Sequence, residues 1–175
     1  MSNLFQKLEI EAFRAGIKPR TKESMNWFRK KATQLGRVGK SIMDDEAVKL
    51  QTSMKNPVGN MYMFFYDPKH KKTLPYYDKF PLIIMIGPAE GGFYGLNLHY
   101  LPPVLRAKVL DALLDDQPVP KKYIAPMIKH YLNTQVKSRF ALVDKPEWEI
   151  ATFLPTAQFE KLSAGQVYTR SRRMI

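Results

Sequence analysis

Apolar residues in the first part of the chain recur at steps of three and four: Leu4, Phe5, Leu8, Ala12 and Phe13, then Met25, Phe28, Ala32 and Leu35. This is the stripe of an amphipathic helix, and Gly16 with Pro19 divides it into two helices. Thr21 and Ser24 are candidate caps for the second, which Gly36 or Gly39 stops. A third, short helix is predicted from Ser41, with Asp44, Asp45 and Glu46 in a first turn where the helix dipole favours acids.

From Val58 the period changes. Met61 to Tyr66 is a compact apolar and aromatic run, Asp67-Pro68 opens a lysine-rich loop, and Leu82 to Ile86 is a second apolar run closed by Gly87-Pro88. Gly91-Gly92 makes a turn, and Phe93 to Tyr100 is predicted as a third strand. Pro102-Pro103 then starts a helix whose stripe includes Val104, Leu105, Val109, Leu110 and Leu113, ending before Pro118. Beyond it we expect a helix near Ile124 to Asn133, a strand around Val136 to Val143, a short helix from Thr156 to Leu162, and a flexible tail ending TRSRRMI. The fold class is α+β: a small antiparallel sheet or barrel, of SH3-like kind if closed, with N-terminal and C-terminal helices packed around it. Residues 1–57 form a basic helical N-terminal extension and 58–175 the core, within one structural domain. No internal repeat interrupts this pattern.

Charge changes the picture. The 28 Lys and Arg against 16 Asp and Glu leave a formal charge of +12, which attracts polyanions. Residues 1–57 hold 12 basic and 6 acidic side chains, 58–120 hold 6 and 6, and 121–175 hold 10 and 4, so a neutral middle lies between two basic flanks. Between Arg14 and Lys40 nine basic residues face one acid, Glu23. A solvated face explains any single charged stretch as well as binding does, but so one-sided an excess favours a nucleic-acid contact. The expected contact residues are Arg14, Lys18, Arg20, Lys22, Arg29, Lys30, Lys31, Arg37 and Lys40, then loop residues Lys69, Lys71 and Lys72, and Arg170, Arg172 and Arg173 of the tail. DNA is the expected partner, through non-specific backbone contacts, with an acidic protein as the alternative. An oligomer is compatible with the sequence, and nothing forces it.

Other chemistry is thinly represented. There are no cysteines, which removes disulfides and thiolate chemistry and fits a reducing place of synthesis. The three histidines, His70, His99 and His130, lack metal-ligand spacing, so no metal or cofactor is expected. The glycines of Gly91-Gly92 and Gly95 fit a turn and a bulge and match no phosphate-loop or dinucleotide fingerprint. The N-terminus is too frequently charged for a secretory or membrane-spanning segment, and no membrane partner is expected.

The central block is dense in aromatics: Tyr62, Phe64, Tyr66, Tyr76, Tyr77, Phe80, Phe93, Tyr94 and Tyr100. Most are expected in the core, although tyrosines facing outward beside Lys69, Lys71, Lys72 and Lys79 would be stacking partners for nucleic acid. Asp78, Asn97, His99 and Arg106 are expected to converge where a strand end meets the next helix. A hydrogen-bonded structural histidine is the commoner fate of such a residue; the alternative is a metal-independent nuclease using His99 as base, Arg106 for phosphate charge, and Asp78.

The combination YDPKHKKTLPYYDKFPLIIMI, then GGFYGLNLHYLP and Arg106, with Trp148, Glu149, Phe153, Leu154, Pro155 and Phe159 further on, resembles a family of small proteins of T4-like tailed bacteriophages. The resemblance covers about residues 58–173. It implies a non-enzymatic virion or morphogenesis protein of the neck, tail or head interior, made in the host bacterial cytoplasm and then carried in the virion. Its implied partners are other phage structural proteins, with the basic flanks meeting DNA. It assigns no catalytic residue.

Overall fold

The computed structural model describes residues 13–17, 23 and 57–175. The three N-terminal helices therefore fall almost wholly outside the described residues. Within them, Phe13 and Arg14 are helical, and Gly16, at φ +70°, donates its N–H to the Phe13 carbonyl as the chain leaves the helix.

Seven strands follow: β1 (Met61–Met63), β2 (Tyr77–Asp78), β3 (Leu82–Ala89), β4 (Gly92–Asn97), β5 (Ile128–Leu132), β6 (Ala141–Val143) and β7 (Phe159–Glu160). Five of them form an antiparallel sheet in the order β5-β4-β3-β1-β6, and β2 pairs with β7. The two apolar runs of the sequence are thus the central strands, which explains why they read as continuous rather than alternating. Alternation survives in how they pack. Met61, Met63, Leu82, Ile84 and Leu96 face a helical layer, whereas Tyr62, Phe64, Ile83, Met85 and Phe93 build an aromatic cluster on the opposite face.

The sheet is open. Its edges are β5 and β6, and an isolated bridge between Tyr66 and Val136 brings the chain after β5 towards the end of β1 without completing a ladder. Among the described residues an antiparallel sheet is therefore present and a closed SH3-like barrel is not. Gly92 and Gly95 serve close packing in β4: a Cβ at Gly92 would sit 1.8 Å from the Tyr131 carbonyl oxygen, and one at Gly95 would sit 2.7 Å from Ile83 Cδ1.

Four helices complete the described fold: α1 (Pro103–Leu114), α2 (Lys121–Met127), α3 (Trp148–Phe153) and α4 (Ala164–Met174). Helix α1 begins at its proline, as expected, and buries Arg106, Val109 and Leu110. Three expectations change. The helix placed near Ile124 to Asn133 stops at Met127, just after Pro126, and the chain continues as edge strand β5. His99 leaves the third strand for a 3₁₀ turn, Leu98–Tyr100, that Asn97 caps by accepting the His99 N–H at 3.0 Å. The segment from Thr156 to Leu162 contains β7 instead of a helix.

The arginine tail is also a helix. Ser163 and Gln166 form a reciprocal capping box at the start of α4, with Gln166 N–H to Ser163 Oγ at 3.3 Å and Ser163 N–H to Gln166 Oε1 at 2.9 Å. Arg172 and Arg173 fall in its last turn, where the dipole favours cations. Val167 and Ser171 are buried, and the Ser171 hydroxyl donates to the Tyr100 carbonyl at 2.5 Å, fixing α4 to the 3₁₀ turn.

Candidate nucleic-acid interface

The structure brings Asp78, Asn97, His99 and Arg106 into one buried centre. Strand β2 turns Asp78 inward, where its carboxylate accepts four bonds: Phe80 N–H at 3.0 Å, Gln158 N–H at 3.0 Å, Asn97 Nδ2 at 3.1 Å and His99 Nδ1 at 2.7 Å. With Nδ1 protonated, His99 Nε2 accepts from the Thr156 hydroxyl at 3.1 Å, so a neutral imidazole satisfies both partners. Burial alone would raise the Asp78 carboxyl, but His99, Asn97 and the Gln158 N–H outweigh it and hold it below its ordinary value. Burial holds His99 below its own, against the pull of Asp78.

Arg106 reaches into the same centre from α1 without touching a carboxylate. Its guanidinium donates to the carbonyls of Leu101 (2.7 Å), Thr152 (3.1 Å) and His99 (3.1 Å) and to the Tyr168 hydroxyl (2.8 Å). One side chain thereby ties α1 to the 3₁₀ turn, α3 and α4. The relative exposures of His99 and Arg106 are 0% and 2%. A nuclease base must reach a phosphodiester, and this centre presents no open face through which His99 could do so. Its geometry is that of a satisfied polar core.

Directly above the centre lies an open bowl of about 540 Å³. Tyr66, Asp78, Tyr100 and Tyr131 contribute to its lining and are themselves buried, so they form a floor. Its lining also includes exposed Lys69 and His70 from the loop after β1, half-buried Tyr76 and Tyr77 before and within β2, and Lys129 and His130 of β5. Among the described residues Asp78 is the sole carboxylate in that lining, and its side chain is only 1% exposed.

Cations and rings alternate across this site. The Arg170 guanidinium lies 5.6 Å from the Tyr76 ring, Tyr76 and Tyr100 are 5.9 Å apart, and the Lys129 ammonium lies 4.2 Å from the Tyr100 ring. The arginine helix and the lysine loop, a hundred residues apart in sequence, thus meet at one place. The loop is held there by Lys161, at φ +73°, whose ammonium donates to the carbonyls of Lys71 (2.6 Å), Lys72 (3.2 Å) and Leu74 (2.5 Å).

The expected contact residues divide accordingly. Lys69 lines the bowl and Arg170 borders it; Lys72 is exposed on the same loop, and Lys71 is paired with Asp67 at 3.0 Å. Arg172 and Arg173 are exposed at the end of α4. Arg14 is exposed, and Lys18, Arg20, Lys22, Arg29, Lys30, Lys31, Arg37 and Lys40 lie outside the described residues. Tyr62, Phe64, Tyr66, Phe80, Phe93 and Tyr100 are buried, as most of these aromatics were expected to be, while Tyr76 and Tyr77 are half-buried in the lining of the bowl and Tyr94 is exposed. Lys129 and Tyr131 were missed because their segment reads as a helix; Pro126, just before the helix ends, was the available signal. Among the described residues no cluster of His, Asp and Glu could hold a metal, and no helix is long and apolar enough to cross a membrane.

Residues 5–125 match the family described as the phage T4 terminal DNA protecting protein. The chain belongs to this family. The match bears out the resemblance to T4-like phage proteins and extends it over the N-terminal basic segment, while the Trp148 to Phe159 motif lies beyond its end. In the family's terms, the matched part carries β1 to β4, α1 and the lysine loop, whereas β5 and α4, which complete the bowl, follow it. No curated protein and no solved structure matches the chain.

Proposed function

We propose that this protein is a non-enzymatic phage component that binds the termini of linear DNA and shields them from exonucleases. The observation that carries this reading is the meeting of two basic segments, around Lys69 and around Arg170, at an aromatic bowl in a member of a family named for protecting terminal DNA. Backbone contacts from Arg14 to Lys40 would add sequence-independent affinity along the adjoining duplex. The protein is made in the host cytoplasm and carried with the genome ends in the virion, in the neck, tail or head interior, against other phage structural proteins.

The test is exonuclease digestion of a linear duplex at physiological salt, with a closed circle of the same sequence as competitor. Protection that survives excess circle supports the reading. Equal affinity for circle and linear duplex, with no protection, refutes it. Mass spectrometry of purified virions tests the location.

A further inference from the structure

We propose that the bowl beneath Lys69 and Lys129 is a socket for the terminal nucleotide of a DNA strand, its base resting on the tyrosine lining and its phosphate at the basic rim. This inference rests on the DNA-end reading above and names the site that would recognise the end.

Three features support it. At about 540 Å³ the bowl falls within the usual range of about 300–1,000 Å³ for small-ligand sites, large enough for one nucleotide and too small for a length of duplex. It is closed below: the floor is buried and tied to the core through Asp78, so a base enters from the open side alone, as the unpaired nucleotide at a strand end is free to do. Its polarity is graded. The carboxylate at the floor disfavours phosphate there, while exposed Lys69 favours it at the rim and half-buried Lys129 favours it between rim and floor, which orients a nucleotide base-down.

Lys129 is the most informative residue. It is half-buried on an edge strand, and no carboxylate among the described residues pairs with it. Its ammonium faces the Tyr100 ring, and burial lowers its pKa from the ordinary value. A cation held where water is scarce and no acid answers it destabilises the free protein and is ready for an incoming anion. Arg170, exposed on α4, adds a second cation beside the Tyr76 ring.

The experiment uses the full-length protein with three probes: thymidine 5′-monophosphate, a duplex with 2-aminopurine as the unpaired terminal nucleotide, and the same duplex labelled internally. We expect saturable mononucleotide binding and quenching of the terminal label alone. In Tyr76→Ala and Lys129→Met, affinity for ends should fall about 5- to 100-fold, the range expected for losing one base stack or one charge-assisted contact, with affinity for circular DNA little changed. Lys129→Met should also melt at a temperature equal to or above the wild type, which separates lost recognition from lost folding. If Tyr76→Ala does not fold, Lys129→Met and Lys69→Ala carry the test. Unchanged end affinity and quenching in folded variants overturns the socket and leaves end binding standing. A wild type that binds the mononucleotide without preferring ends overturns the DNA-end reading, and with it the terminal nucleotide as occupant.

Discussion

Replacing Asp78 by alanine should cost more stability than any other single truncation near the bowl. The carboxylate accepts from two backbone N–H groups and two side chains, all within 3.1 Å; three of these bonds are buried and the one from Gln158 is part-buried. The side-chain donors retain alternatives: Asn97 Nδ2 also reaches the Tyr131 hydroxyl at 3.2 Å, and His99 can move its proton to Nε2 and donate to Thr156. The Phe80 and Gln158 N–H groups have no such freedom. At about 1–3 kcal/mol for each stranded donor they contribute about 2–6 kcal/mol. Loss of the negative charge that offsets buried Arg106 adds to this, and release of the carboxylate's own desolvation subtracts from it. We expect a net loss of about 3–5 kcal/mol, a large part of the about 5–15 kcal/mol that holds a domain of this size. Urea unfolding followed by tryptophan fluorescence measures it as a lower midpoint at constant slope. Asp78→Asn, whose carbonyl still accepts both backbone bonds, should lose roughly half as much. A loss below about 1 kcal/mol in Asp78→Ala would refute the view that this carboxylate organises the fold.

Acid should weaken the protein in two steps. His99 is held below its ordinary 6.5, so the unfolded chain takes up its proton first; its contribution is complete above about pH 6.5 and is lost as pH falls through the lower folded value, at up to about 1.4 kcal/mol per pH unit. Asp78 is held below 3.8, so its contribution is complete above that and is lost on further acidification. Urea midpoints at pH 7.5 and 5.0 should therefore differ in the wild type and converge in His99→Gln; an equal difference in both would exclude His99. Gly92→Ala should cost about 2–4 kcal/mol, because its Cβ would lie 1.8 Å from the Tyr131 carbonyl oxygen, and loss of end binding alongside lower thermal stability would report displacement of β5. Lys161→Met, which removes the donors to Lys71, Lys72 and Leu74, should speed tryptic cleavage in that loop about tenfold with little change in melting temperature, and unchanged cleavage would show that the loop holds itself.

Much of the central fold could be read from the chain because its elements carry their own punctuation. The two apolar runs, the Gly91-Gly92 turn and the Pro103 helix start all lie where local chemistry places them. The misplacements arise where distant partners decide. Ile128–Leu132 becomes a strand because β4 offers it an edge, and Thr156 to Leu162 is drawn into extended pairing by β2. The arginine segment reads as a tail because only Val167 and Ser171 are buried in α4, too few to mark a stripe, although its capping box was visible in Ser163 and Gln166. The convergence of Asp78, Asn97, His99 and Arg106 was legible from their place at a strand end. A histidine hydrogen-bonded inside the fold was the favoured reading of His99 and is what the structure has; the elements that cover the set, β7, α3 and α4, were not legible.

Asp78 belongs at once to the floor of the bowl and to the polar centre beneath it, whereas Lys69 and His70 sit on a loop and His130 on an edge strand, all exposed. The two parts therefore differ in how freely they can evolve. A change on the floor is paid for in folding, so the depth and base-facing surface of the site are fixed by the fold. The rim carries no such folding burden, so in a DNA-end binder its charges would answer to the ligand alone, which would let phages sharing this scaffold adjust to different genome ends without rebuilding the protein.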